Sequence, residues 1–264
     1  MSKFPLPLLC LALAGCGSLT RHGPVDPALT AFIPPDSVAL AGVRLDRLRA
    51  TPIYRKLTET NPLRRPDPFR SDDIQDVLLA SDGENVLVIA RGAFREKPPA
   101  GLTPVGGNIA LGGTDAAVRA AIGQSKNGGR EAPRDLMARA QALPGDAQIW
   151  AVVAGWRGLD PGQLRAMGNF ANLDRVMRLV EGASLTVDLR TGAHAAFTGD
   201  CRTEADAKNL ADSLRGLAAL ARMGLAHNKP DLQHAFDGLQ VNQNGRAVQV
   251  NVDITEDLAE KLAQ

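Results

Sequence analysis

Two stretches of this chain share one build. Ser37 to Leu45 (SVALAGVRL) and Ala147 to Ala154 (AQIWAVVA) each read as a short apolar strand, and each precedes a segment with helical spacing. The first helical segment runs to about Thr58 and the second from Pro161 to about Val180. The offset is about 110 residues, a period that points to internal duplication. A hairpin follows in each case. Ile74 to Ala80 and Val86 to Arg91 flank the turn signal Asp82-Gly83, and Ala183 to Arg190 and Ala193 to Asp200 flank Thr191-Gly192.

The halves then diverge. In the second, Thr203 can cap a helix with Asp206 three residues on, and Ala207, Leu210, Leu214, Leu217 and Ala221 form one apolar stripe through about Met223. The first half shows only a Pro/Gly loop, Glu96 to Pro104. Closing strands run into helices opened by Thr114 and Thr255, and Val248, Val250, Val252 and Ile254 alternate with polar residues. The predicted class is α+β, with two related modules of antiparallel sheet and helices packed on one face. The expected division is a first module over 36–125, a connector over 126–145 with a short helix from Leu136 to Leu143, and a second module over 146–264. One continuous sheet shared by both halves is the alternative. The layout also resembles uncharacterised exported bacterial proteins in which strands opening on a motif like Pro35-Asp36-Ser37-Val38 begin duplicated α+β modules, a resemblance that implies no activity.

Composition narrows the functional classes. The 264 residues, 44% of them hydrophobic, can bury a core, and Lys+Arg 30 against Asp+Glu 29 leaves a net charge of +1. That balance provides no field for general nucleic-acid binding. Aromatic residues are only 4%, too few to line a stacking platform for sugars or bases.

The amino terminus reads as an export signal. Lys3 supplies the positive charge, and Phe4 to Gly15 is uncharged over twelve residues, shorter than the roughly 20 needed to span a bilayer. Leu13-Ala14-Gly15-Cys16 resembles the lipobox of bacterial lipoproteins at all four positions. Small residues before the cysteine let an extended backbone enter a membrane-embedded protease, whereas bulky Leu9 precedes Cys10. The resemblance implies a signal peptide over 1–15, a diacylglycerol thioether on Cys16 and an acylated, palmitate-type amino group. Two or more chains hold a protein on a membrane stably. Gly17 rather than Asp after the cysteine implies the outer membrane, facing the periplasm, in a Gram-negative cell. Residues 16–35, with Pro24, Pro27, Pro34 and Pro35, are expected to form a tether, and the folded part to begin near Asp36. With Cys16 consumed by lipid, Cys201 has no intramolecular partner.

No catalytic motif is legible, and neither a cofactor nor a metal is expected. GGTDAA (Gly112 to Ala117) could place a phosphate at a helix N-terminus, but it matches no nucleotide fingerprint, and Thr114 accounts for it as a turn and cap. His194, Thr198 and Asp200 share one strand face by parity, either as part of an acid-base or metal site or as a solvated sheet face. His22, His227 and His234 lack the spacing of paired ligands. Cys201 has the inward parity of Ala195 and Phe197, which favours an inert buried thiol over a nucleophile. No G-x-S-x-G is present, and no two carboxylates are paired by sequence.

Two features suggest binding. Thr60 to Ser71 sets Arg64, Arg65 and Arg70 beside Phe69 in a Pro-stiffened loop, suited to anionic headgroups or a partner protein, or simply solvated. Open sheet edges are templates for strand addition. The expected function is that of a membrane-tethered envelope lipoprotein serving non-catalytic binding, assembly or scaffolding with an envelope protein partner. The alternatives are an envelope hydrolase or metal enzyme around His194 and Asp200, and a carrier of a lipid or small apolar ligand.

Overall fold

The computed structural model describes residues 23–60, 73–94, 100–126, 132–155, 179–225 and 237–262. Their strands are β1 (Ala39–Arg44), β2 (Ile74–Ser81), β3 (Val86–Gly92), β4 (Thr103–Gly106), β5 (Ile109–Gly113), β6 (Ile149–Ala154), β7 (Val180–Asp188), β8 (Ala193–Cys201), β9 (Leu239–Asn244) and β10 (Ala247–Ile254). The helices are α1 (Pro27–Thr30), α2 (Leu45–Arg49), α3 (Pro52–Thr60), α4 (Asp115–Lys126), α5 (Arg134–Gln141), α6 (Glu204–Leu225) and α7 (Glu256–Leu262). The class is α+β.

All ten strands join one antiparallel sheet in the order β4-β5-β3-β2-β1-β6-β7-β8-β10-β9. Read outward from the centre, β1-β2-β3-β5-β4 on one side and β6-β7-β8-β10-β9 on the other follow the same strand order. The two halves meet where β1 pairs with β6, Ala41 opposite Ala151 and Val43 opposite Ile149. The sheet is therefore continuous across the halves. The stretch expected as a Pro/Gly loop before Pro104 closes on β4, an edge strand paired to β5 through Thr103–Leu111 and Pro104–Ala110. Proline lacks a ladder donor and is tolerated there because an edge leaves one side unpaired.

Directly paired residues share a sheet face, so the register assigns every side chain. On one face of the first half, Leu40, Leu78, Ile89 and Leu111 meet Leu136 and Ala140 of α5 and Val118 and Ala121 of α4. Trp150, 2% exposed, belongs to the same core. On the opposite face of the second half, Ala183, Cys201 and Val248 meet Ala207, Leu210 and Ala211 of α6. The layer of α4 and α5 and the helix α6 thus lie on opposite faces of the common sheet. Thr203 opens α6 as its sequence suggests: its Oγ1 accepts from the Asp206 amide at 3.0 Å and donates to Asp206 Oδ2 at 2.8 Å. A third cluster, Leu45, Leu48, Ile74, Val77 and Ala90, lies beneath α2, on the α6 side of the sheet.

The expected tether over 16–35 is corrected from Gly23 onward. Asp26 accepts from the Ala28 amide at 2.8 Å and starts α1 with Pro27 in its first turn, where a missing N–H costs nothing. Leu29 (2% exposed) and Ile33 (0%) enter the first-half core, and Gln124 donates to the Ile33 carbonyl at 2.6 Å. Asp26 also pairs with Arg91 at 3.0 Å. A β-carbon on Gly23 would lie 2.5 Å from Gln141 Cα, so the chain already presses on α5 at that point. The prolines break helix without breaking packing, because Leu29, Phe32 and Ile33 recur at helical spacing.

Candidate functional site

Where α4 and α5 cover the first half, the same face of the second half carries no comparable apolar layer among the described residues. Ser184, Thr198, Gln249 and Asn242 form one cross-strand row there, and Thr186, Ala196, Asn251 and Gln240 form the next. Gln240, Asn242, Gln249 and Ala196 are exposed, and the remaining four are half-buried. The result is a four-stranded, polar surface without a net charge of its own. Amides and hydroxyls at these positions can donate and accept at once, which suits recognition by hydrogen bonding.

Charged pairs bound the surface at both ends. At one end Arg139 of α5 reaches across to the Asp200 carboxylate, over Gly182, where a β-carbon would lie 2.6 Å from the guanidinium carbon. At the other end His194 stands between Asp188 on β7 and Asp253 on β10, its register partners. His194 Nδ1 lies 2.7 Å from Asp253 Oδ1, and Nε2 lies 3.1 Å from the Thr191 carbonyl. Both ring nitrogens thus face acceptors, which favours the doubly protonated ring. The Asp253 hydrogen bond, helped by the Thr191 carbonyl, holds the imidazole above its usual range. Asp188 is pulled down to about 2, chiefly by hydrogen bonds from Arg190, which also pairs with Asp146 at 2.7 Å.

His194, Thr198 and Asp200 do share a face, as strand parity requires. His194 and Asp200 nevertheless stand at opposite ends of β8, roughly 20 Å apart at about 3.3 Å per residue, each engaged by a different partner. The structure does not bring them together. Among the described residues no group of three or more His, Cys, Asp or Glu side chains is placed to hold a metal. Cys201 is 1% exposed, and burial together with the nearby Asp206 and Asp200 charges pushes its thiol up, away from the reactive thiolate.

GGTDAA forms the turn from β5 into α4. Gly113 has φ +132, and Thr114 Oγ1 accepts from the Ala117 amide at 3.2 Å, as its cap reading requires. An open groove of about 230 Å³ lies beside it, between Thr114, Asp82 and Pro34. Cys16, His22, Arg64, Arg65, Phe69, Arg70, His227 and His234 lie outside the described residues. Sequence reasoning missed Arg139 and Asp253 as the partners of Asp200 and His194. Only the period-two pattern of β10, which sets Gln249, Asn251 and Asp253 on one side, points toward them.

No described protein family and no curated protein matches the chain. Solved structures of TP0453 are loosely similar. Crystal form III matches at 10% identity with a TM-score of 0.45, covering 90% of this chain and 96% of that one. Form IV matches at 10% identity with a TM-score of 0.47, covering 90% and 95%. A likeness at this level assigns neither fold nor function to the chain.

Proposed function

We propose that the chain is a lipid-anchored protein of the cell envelope whose sheet is a non-catalytic scaffold, presenting the bare polar face of its second half to a partner protein. The observation that carries this reading is the contrast between the two halves. One face of the sheet is packed by α1, α4 and α5 over the first half, while among the described residues no helix packs on its polar continuation over β7, β8, β10 and β9. An open polar sheet face flanked by ion pairs is a surface for reversible, hydrogen-bonded contact. The anchor is supported by Leu13-Ala14-Gly15-Cys16, and the outer membrane of a Gram-negative cell by Gly17. A hydrolase or metal enzyme built on His194 and Asp200 has no support from their separation along β8.

Photo-crosslinkers placed at Thr198 and Gln249 in cells test the scaffold reading, with Leu79 on the opposite face as control. The expected result is a discrete adduct from Thr198 and Gln249 alone; equal labelling from all three positions overturns it. For the anchor, Cys16→Ser is expected to abolish acylation and release the chain, and membrane retention with normal cleavage defeats that part.

A further inference from the structure

The two edges of the sheet are not alike. At one edge β4 has only four residues, contains Pro104 and breaks register between Pro104 and Gly106, all of which deter a further strand. At the other, β9 has six residues in unbroken register with β10 and carries no proline, glycine or charged side chain.

Successive residues of an antiparallel strand turn their main-chain groups to opposite sides. The Asp253 amide donates to the Gly238 carbonyl at 3.3 Å, so the even-numbered residues of β9 bond to β10. Leu239, Val241 and Gln243 therefore turn their N–H and C=O groups outward. Among the described residues no strand meets them. The Val241 carbonyl alone accepts from a side chain, Arg215 of α6 at 3.0 Å, and that guanidinium also pairs with Asp212 at 3.0 Å.

We infer that β9 is a self-association edge, on which the β9 of a second copy pairs antiparallel about a two-fold axis at Val241 and continues the sheet from one subunit into the next. An unmet row of alternating donors and acceptors recognises an extended backbone. Three features select a second copy as its source. Pairing about Val241 sets Gln240 opposite Asn242 of the partner subunit, amides that donate to and accept from each other. The same axis brings Arg215 beside the partner's Asp212, so that it can exchange the Val241 carbonyl for a carboxylate and leave that carbonyl to the new ladder. Finally, one guarded edge and one open edge give a closed pair, whereas two open edges would give a filament. The inference is independent of the lipid anchor and leaves the polar face of the second half free in both subunits.

The test measures the mass of the full chain by sedimentation in density-matched detergent, together with the distance between nitroxides on Asn244→Cys. The parent chain is expected to sediment as a dimer. Positions 244 of the two subunits lie three residues either side of the axis, which gives a separation of about 20 Å. The same label on Thr103→Cys, at the guarded edge, is expected to give no such distance. Val241→Pro removes an outward N–H and spares the bonds to β10, so it is expected to yield a folded monomer. Asp212→Lys, which leaves the backbone untouched and sets like charges across the axis, is expected to do the same and serves where Val241→Pro lowers the thermal midpoint. A parent chain that is monomeric overturns the inference. So does a dimer that survives both substitutions, or one without the 244 distance, since another surface then holds it. A single copy bound to a different protein, released by Val241→Pro, overturns it in favour of a foreign strand.

Discussion

Gly42 faces Trp150 directly across the seam between β1 and β6, and a β-carbon at position 42 would overlap the indole. The join between the two halves is thus built from the smallest and the largest side chain in register. Gly42→Ala is expected to destabilise by about 1–3 kcal/mol, because the ring must leave its rotamer or the strands must separate. Trp150→Ala is expected to cost about 3–5 kcal/mol. Denaturant midpoints of the two variants check both values, and a neutral Gly42→Ala would contradict the packing at the seam.

The N-terminal segment behaves as core. Leu29→Ala and Ile33→Ala are each expected to destabilise by about 2–5 kcal/mol, the range for aliphatic truncation at buried positions. A mere spacer would give no change in thermal midpoint for either substitution.

Asp76, 6% exposed, sits between two guanidinium groups: it pairs with Arg91, and Arg44 Nε lies 3.8 Å from it. Asp76→Ala removes the carboxylate the two cations share, leaving Arg91 to Asp26 and Arg44 to the Gly145 carbonyl, and is expected to destabilise by about 1–3 kcal/mol. Since Arg91 also holds Asp26, limited proteolysis of Asp76→Ala should show earlier cutting near Gly23 than in the parent chain.

Two carboxylate and imidazole pairs set the pH response. Asp188, held at about 2, contributes stability that is present above the ordinary carboxylate range and is lost as pH falls through about 2. His194 acts in the other direction. Its raised value gives a contribution that is complete below the ordinary imidazole range and fades as pH rises through the folded-state value. Both contributions are small because these pairs are partly open to water, which screens them. Thermal midpoints of the parent chain and of His194→Gln, compared from about pH 5 to pH 8, should converge as pH rises. A gap that is constant across that range would remove the Asp253 contact as its cause.

Local pattern made the hairpins legible. Ile74 to Ala80 and Val86 to Arg91 were readable because apolar runs flank Asp82-Gly83, and α6 because Thr203 and Asp206 mark its start. β4 was hidden by its length and by Pro104, which reads as loop unless the strand is known to lie at an edge. Prolines likewise masked the fold of Gly23 to Pro35, where Leu29 and Ile33 carried the contrary signal. Pairing of β1 with β6 joins residues about 110 apart, and no local pattern encodes which strands become neighbours over that distance. Parity put His194 and Asp200 on one face, but their partners Asp253 and Arg139 come from a different strand and a helix, invisible to a strand-by-strand reading.

The seam also bears on how such a molecule can be assembled. Each half alone would end in β1 or β6 with a full ladder of main-chain groups unmet, flanked by Ala41 or Ala151 and ready to zip onto a copy of itself. Synthesised in one polypeptide, the halves meet each other before they meet a stranger. Maturation of either half is therefore bound to the arrival of its sibling, and cutting the chain between α5 and β6 should yield sticky fragments rather than two well-behaved domains.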